Sequence, residues 1–119
     1  MTMRAASCVC GQLRIEVEGE PLGVGLCHCL ACQRRTGSVF AALAAFPAPY
    51  RVIGTATEFV RTGDRGARFR FRFCPVCGST VFRTEEGHDG TVGIAVGAFA
   101  DPAFLRRRIR SMTVGGTRG

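Results

Sequence analysis

Apolar and polar positions alternate most cleanly over residues 12–18, where Leu13, Ile15 and Val17 stand against Arg14, Glu16 and Glu18. A period of two belongs to a strand with one buried face. The pattern returns over 68–73: Phe69, Phe71 and Phe73 form one side, read as aromatic core, and Arg68, Arg70 and Arg72 the other. Residues 50–53 and 57–61 read as strands on either side of Gly54. Segments 79–84 and 91–96 are two more, the second with Val92, Ile94 and Val96 on one face. Residues 19–21 end the first strand, and 23–26 lead into a cysteine cluster. Residues 31–36 fit a short helix or turn closed by Gly37. Residues 39–46 are ambiguous: their alanines favour helix, yet the run is short and is followed by Pro47 and Pro49. Residues 102–108 read as a short helix with Asp101 as N-cap and Pro102 at its first position. Many short strands and little helix predict an all-β domain over 1–113, with a Gly-rich flexible tail over 114–119.

A length of 119 residues gives one domain, and 46% hydrophobic with 21% charged residues is a globular composition. No apolar run approaches the ~18 residues of a membrane span. The first ten residues hold Arg4 and lack the apolar stretch of a secretory signal, so the expected location is the cytoplasm. The net charge is +7, and all 16 basic residues are arginine. One reading is a composition that keeps the chain soluble. The other is attraction of anionic ligands, since guanidinium forks bind carboxylates and phosphates bidentately.

Seven cysteines change the picture more than the charge does. The number is odd, and disulfides need an oxidising compartment, so metal binding is the better account. The cysteines fall in three groups: Cys8 and Cys10; Cys27, Cys29 and Cys32; and Cys74 and Cys77. In an extended Cys-x-Cys segment both sulfurs share a face, and Cys74-Pro75-Val76-Cys77-Gly78 is a tight turn that converges two more. Cys8, Cys10, Cys74 and Cys77 would complete a closed four-sulfur zinc site. Cys27, Cys29 and Cys32 then remain as three ligands with an open fourth position, the arrangement of catalytic zinc. A rival grouping joins Cys27 and Cys29 to Cys74 and Cys77, but it leaves Cys8, Cys10 and Cys32 unused. His28 sits between two ligand candidates and points the other way in an extended segment, so it reads as structural or as a donor that supports the ligands. His88 reads as an exposed loop residue. Zinc deaminase chemistry needs a His-x-Glu, and neither histidine has a glutamate two residues on.

The motifs Cys8-Val9-Cys10-Gly11, Cys27-His28-Cys29-x-x-Cys32-Gln33-Arg34, the Gly37 to Phe40 segment, Phe73-Cys74-Pro75-Val76-Cys77-Gly78-Ser79, and Val96-Gly97 with Asp101-Pro102 span about residues 7 to 105. Together they resemble the glutathione-dependent formaldehyde-activating enzymes, whose domain is shared with centromere protein V. The resemblance implies an Mss4-like fold of short antiparallel sheets and two zinc ions per chain. Cys8, Cys10, Cys74 and Cys77 would hold the structural ion, and Cys27, Cys29 and Cys32 the catalytic one. It further implies a carbon–sulfur lyase type of activity, joining glutathione or a similar thiol to formaldehyde or another small aldehyde as an S-(hydroxymethyl)glutathione synthase does. Arg34 and Arg35, or the strand arginines Arg68, Arg70 and Arg72, are the expected carboxylate binders. The chain departs from the family after Ser111: it lacks the usual Pro-Trp pair and contains no Trp. The alternative is a non-catalytic, zinc-stabilised module that binds an acidic partner through Arg106, Arg107 and Arg108. Neither a membrane nor nucleic acid is the expected partner.

Overall fold

The clean alternation at 12–18 and at 68–73 produces strands in two different sheets. A computed structural model describes residues 2–115. The smaller sheet is antiparallel, in the order β1 (Met3–Ser7), β2 (Arg14–Glu18), β5 (Arg51–Ile53). The larger has seven strands in the order β10 (Met112–Gly115), β3 (Gly23–Cys27), β4 (Ala41–Pro47), β9 (Thr91–Ala95), β8 (Thr80–Glu85), β7 (Arg68–Phe73), β6 (Thr57–Thr62). Only its β10–β3 pairing is parallel. A single α-helix, α1 (Leu30–Thr36), and two 3-10 turns, Val96–Phe99 and Arg106–Ser111, complete the described elements. The fold is therefore all-β, with the two-sheet, cysteine-clustered form expected of the Mss4-like class. Among the described residues no helix is long and apolar enough to cross a membrane.

The ambiguous run at 39–46 is a strand. β4 lies between β3 and β9, with Ala44 and Phe46 in the core on one face and Leu43 and Ala45 on the other. Both faces carry apolar side chains, so there are no polar positions to alternate with. Two further strands carried no sequence signal. β1 has one fully buried residue, Ala6, and takes its form from pairing with β2. β10 takes in Val114 and Gly115 of the segment expected as a tail, paired beside Leu26 and Cys27. Residues 116–119 lie outside the described residues.

The register across the large sheet sorts its side chains into two sets. Val24, Ala44, Phe46, Val92, Ile94 and Phe82 are cross-strand neighbours on one face. They are buried in one cluster with Leu13, Ile15 and Val17 of the small-sheet side. Each such side chain contributes roughly 1.5–3 kcal/mol on burial. Arg68, Arg70 and Arg72 extend this core-side face, pairing Arg72 with Phe82. The expectation that the phenylalanines of β7 form core is thus corrected. Phe71 is buried, but Phe69 and Phe73 are only half-buried, and all three belong to the opposite face of the sheet. Phe59 and Arg61 of β6, Arg83 of β8, Gly93 of β9, Leu43 of β4 and Cys27 of β3 share that face with them.

The short helix expected over 102–108 is also corrected. Asp101 does cap the segment: its Oδ1 accepts from Ala103 N–H at 3.0 Å, and its Oδ2 from Arg107 at 2.9 Å. The bonds that follow mix three- and four-residue spans, from Phe104 N–H to Asp101 O and from Arg107 N–H to Ala103 O. The result is a run of turns leading into the second 3-10 segment. This irregular chain delivers Phe104 to the core, where it stacks on Phe99 at 4.9 Å.

Gly54 marks the tightest approach in the fold. Its φ is +98°, and a Cβ there would lie 1.8 Å from the Gln12 carbonyl oxygen. The Gln12 side chain uses this closeness to donate to Thr55 O and accept from Thr55 N–H. Gly54→Ala is expected to cost about 3 kcal/mol, through backbone strain plus the clash. Chemical denaturation of the two proteins measures it, and a loss below about 1 kcal/mol would contradict the account.

Candidate functional site

Two tight turns bring four cysteines to one corner, where the small sheet meets the large. Cys8 and Cys10 lie in the turn after β1, and Cys74 and Cys77 in the turn between β7 and β8. The geometry of Cys8 and Cys10 is a turn, not the extended segment expected. The Gly11 N–H reaches Cys8 O at 3.1 Å, and the Gly78 N–H reaches Cys74 O at 2.8 Å. Gly11 and Gly78 have φ of +85° and +81°, a region other residues rarely occupy. Backbone N–H groups point at the sulfurs, from Leu13 to Cys8 Sγ and from Val76 to Cys74 Sγ, each at 3.3 Å. Gln12 adds a side-chain donor to Cys74 Sγ at 3.1 Å.

All four sulfurs lie within 4.8 Å of one another. Cys10 Sγ is 3.6 Å from both Cys8 Sγ and Cys74 Sγ. That is far too long for a disulfide and close to the ~3.8 Å edge of a tetrahedron of zinc–sulfur bonds. The protonation pattern points the same way. The Ser79 hydroxyl, with backbone donors, brings the Cys77 thiol down to about 5. At Cys10 the Gln12 N–H pulls down, but desolvation and hydrogen bonds to Cys8, Cys74 and Cys77 prevail and push the thiol up to about 11. Sulfurs this crowded cannot all carry charge unless a cation sits among them. The donor set fits a soft divalent ion.

The second group forms where β3 runs into α1. Cys27 ends the strand. Cys29 is the helix N-cap, and its sulfur accepts from the Cys32 N–H at 3.3 Å. Cys32 lies in the first turn, and Gly37, with φ +71°, ends the helix as expected. The three sulfurs are again within 4.8 Å of one another. Burial, then hydrogen bonds to Cys29 and Cys27, push the Cys32 thiol up to about 11. Burial opposes charge on Cys29 as well. There the Cys32 N–H, the neighbouring thiols and the Arg61 charge outweigh it and hold the group low. Among the described residues no histidine or carboxylate joins either cluster, so three sulfurs leave a fourth position open. The rival grouping of Cys27 and Cys29 with Cys74 and Cys77 is excluded by this geometry.

Above the three sulfurs opens a cavity of about 890 Å³. The phenylalanine face of β7 forms one wall, through Phe69 and Phe71. Arg35, Arg61, Arg65 and Arg83 surround it, with Asp64 as the one carboxylate among the described lining residues. Arg35 therefore reaches the site and stacks on the Phe71 ring at 4.3 Å. Arg34, one residue earlier on the helix, is exposed and does not line the cavity. The strand arginines expected as carboxylate binders point away from it and already have partners. Arg68 pairs with Glu86, Arg70 with Glu58 and Glu86, and Arg72 with Glu58. A smaller cavity of about 360 Å³ on that side is lined by Arg70 and Arg72 together with Glu85, Glu86 and Asp89, so its charge leans acidic.

Arg61, Arg65 and Arg83 were not singled out by the sequence. The signal was present in the alternation: on a two-residue period Arg61 shares a face with Phe59, and that face pairs with Phe69. His28 is half-buried, its backbone carbonyl accepts from Gln33 Nε2 at 2.9 Å, and it belongs to neither cysteine cluster. His88 lies exposed beside Glu85, 3.4 Å away. The Arg106, Arg107, Arg108 run is not a free basic stripe. Arg107 pairs with Asp101. Arg108 is buried over the Phe104 ring at 4.0 Å and donates to Glu20 at 2.6 Å. Arg106 and Arg107 remain exposed.

A family model described as glutathione-dependent formaldehyde-activating enzyme matches residues 3–113. Among solved structures, a Rhodobacter sphaeroides protein is similar, with a TM-score of 0.64 and 25% sequence identity. The match covers 92% of this chain and 98% of that one. No curated protein matches.

The two clusters should separate in mutants. Cys74→Ser removes a donor from a closed four-sulfur site, whose metal binding is worth about 10–16 kcal/mol in small peptides. It is expected to leave the chain largely unfolded at room temperature. Cys29→Ser disrupts the pocket while the staple between the sheets remains, so the fold is expected to persist. Thermal denaturation of metal-replete proteins checks this, and equal loss of folding in both variants would contradict the division.

Proposed function

The chain belongs to the glutathione-dependent formaldehyde-activating enzyme family, and from that membership we propose that it joins glutathione or a similar thiol to formaldehyde or another small aldehyde. The observation that carries this reading is the three-sulfur cluster, open on one side and set in the floor of a cavity large enough for a peptide-sized thiol. The reaction is a carbon–sulfur lyase step run in reverse, giving an S-(hydroxymethyl) thioether. The new bond joins the thiol sulfur to the aldehyde carbon. The carbonyl π pair goes to the oxygen, which takes up a proton as the sulfur loses one, and nothing is oxidised or reduced.

Cys8, Cys10, Cys74 and Cys77 would hold a structural zinc ion, and Cys27, Cys29 and Cys32 a second at the open site. Zinc at the open site would supply one thing, stabilisation of the docked thiol as its thiolate. The remaining work falls to the chain's own groups. Phe69 and Phe71 give the cavity an apolar wall that limits water near the sulfur. Arg35, held over Phe71, places positive charge beside Cys32, which its hydrogen bond helps to lower. Neither histidine lines the cavity, so proton exchange between sulfur and oxygen runs through solvent. Seven free thiols suit a reducing compartment such as the cytoplasm.

Exchange spectroscopy of formaldehyde with glutathione is the direct assay. The protein should carry two zinc ions per chain and accelerate the exchange. Cys29→Ser should lose one zinc and at least about 100-fold of the acceleration, the scale expected when a catalytic metal site is disrupted. No acceleration with any small thiol, in protein carrying both ions, would overturn the catalytic reading in favour of a binding module.

A further inference from the structure

β6 is the outer strand of the large sheet, with β7 on one side and an open edge on the other. Its six residues pair with β7 without a bulge, from Thr57 opposite Phe73 to Thr62 opposite Arg68. The bonds at the end of this hairpin fix which backbone groups face outward. Gly63 N–H donates to Ala67 O at 2.8 Å, so the pair one step beyond Thr62 and Arg68 is hydrogen-bonded. Arg68 O accepts instead from Glu86 N–H at 2.9 Å, on the β8 side. Bonded and non-bonded pairs alternate along an antiparallel ladder. Thr57, Phe59 and Arg61 are therefore the residues bonded to β7. Glu58, Val60 and Thr62 turn their N–H and C=O groups to the open edge.

Open edges are commonly blunted by Pro, Lys, a bulge or a free charge. β6 holds no Pro and no Lys, and its glutamate, Glu58, is engaged by Arg70 and Arg72 of β7. On the cavity side, Phe59 stacks on Phe71 at 6.5 Å yet keeps 52% of its surface exposed at the rim of the sheet. Two residues on, Arg61 lines the cavity. Arg35 and Arg83 lie over rings of their own chain. Arg61 lies over no ring and pairs with no carboxylate among the described residues. One short strand thus presents unpaired backbone groups, a bare ring and a guanidinium without a ring.

A second copy of the chain complements all three. When a strand pairs antiparallel with itself about a two-fold axis, opposed residues share a face, so the axis passes through one residue. An axis through Glu58 or Arg61 sets like charges directly opposite each other, which is destabilising. An axis through Phe59 stacks two rings but leaves Arg61 opposite Thr57. An axis through Val60 sets Phe59 against the partner's Arg61 on both sides of the axis and Glu58 against the partner's Thr62. It also gives every outward group of Glu58, Val60 and Thr62 a hydrogen-bond partner. Phe59 and Arg61 then fall in the non-bonded pairs, where Cα atoms are ~4.5 Å apart and side chains approach most closely. That suits a ring and a guanidinium. We infer that β6 pairs with β6 of a second copy about an axis through Val60, joining the two large sheets into one. The partner's Phe59 covers Arg61 at the rim of the cavity, so each copy completes a wall of the other's site. Both cavities open on the same side of the joined sheet. The inference does not depend on which thiol or aldehyde the cavity takes.

One strand pair makes a small interface, so association should be reversible and follow concentration. The test is sedimentation velocity with residue-resolved amide hydrogen exchange, on metal-replete protein between about 1 μM and about 1 mM. We expect the mass to double across that range. Exchange should slow with concentration at the amides of Glu58, Val60 and Thr62, and stay constant at Phe59 and Arg61, which β7 already holds. Both readouts use the wild-type chain. Val60→Pro removes an outward N–H that the single chain does not use, so it should stay monomeric. Phe59→Arg sets arginine against the partner's Arg61 and should weaken association at least about tenfold. Phe59→Glu sets a carboxylate there and should hold association within about threefold of wild type. A monomer at every concentration would overturn the inference. A dimer in which those three amides exchange unchanged would also overturn it, because another surface would be in use. Equal weakening by Arg and Glu at position 59 would reject the axis through Val60.

Discussion

Four sulfurs from two turns, 64 residues apart between Cys10 and Cys74, meet within 4.8 Å, and they do so at the corner where the small sheet joins the large. The small sheet needs that tie. β1 buries little, and β5 has three residues, none of them buried. Their pairing to β2 cannot supply the stability of a free-standing sheet. Gln12 extends the tie: one amide reaches Cys74 Sγ and Thr55, so the turn after β1, the turn after β7 and the end of β5 converge on it. The close packing of Gly54 against Gln12 follows from the same convergence. A cation among those sulfurs would lock both sheets into one register, at the modest extra entropy of closing a long loop. Without it, like charges and shared protons would press the turns apart.

The consequence for the rest of the molecule is a division of the large sheet into two sides with different tasks. Its core side packs Phe46, Ile94 and Val92 against Ile15 and Val17. Its other side is left open near β3 and α1, floored by Leu43 and walled by Phe69 and Phe71 of β7. Phe71 would be ordinary core in another fold. Here it is a platform, with Arg35 stacked on it. Likewise Phe104 is buried beneath Arg108 and near Arg4, and Glu20 accepts from both guanidiniums. The fold uses aromatic faces and scattered glutamates to house arginines that a smaller domain could not otherwise bury.

The cysteine grouping was legible because its information is local. Cys-x-x-Cys followed by glycine is a turn wherever it stands, and the count of ligands then limits how the groups combine. The strands with one polar face were legible for the same reason. What could not be read was set by partners distant in sequence. β4 lost its alternation because both its faces are apolar, one toward the core and one toward the cavity. β1 is too weakly apolar to announce itself and exists through β2. The largest misreading concerned Arg68–Phe73, where alternation was evident but not which face turned inward. Taking phenylalanine as core directed attention to Arg68, Arg70 and Arg72, which the structure pairs with Glu58 and Glu86. The cations that do surround the cysteines, Arg61 and Arg83, sit opposite those phenylalanines. The face could be assigned only once β7 was placed between β6 and β8.

Electrostatics connects that placement to the chemistry. Three thiolate donors give so much charge to a divalent ion that it polarises bound water poorly, so an all-sulfur site is better suited to holding a thiol than to making hydroxide. The same donors leave the centre net negative, and a fourth thiolate approaches it against repulsion. Positive charge nearby offsets this, provided it cannot collapse onto the sulfurs or be neutralised by the protein's own carboxylates. Arg35 and Arg83 are each held over a ring, and their charges are felt at Cys32. Arg61 acts on Cys29 in the same way. The glutamates that might have quenched those arginines are engaged on the far side of the sheet. The pairing of Arg68, Arg70 and Arg72 with Glu58 and Glu86 therefore does more than stabilise a hairpin, because it keeps those two glutamates away from the pocket, where Asp64 is the one carboxylate among the described lining residues.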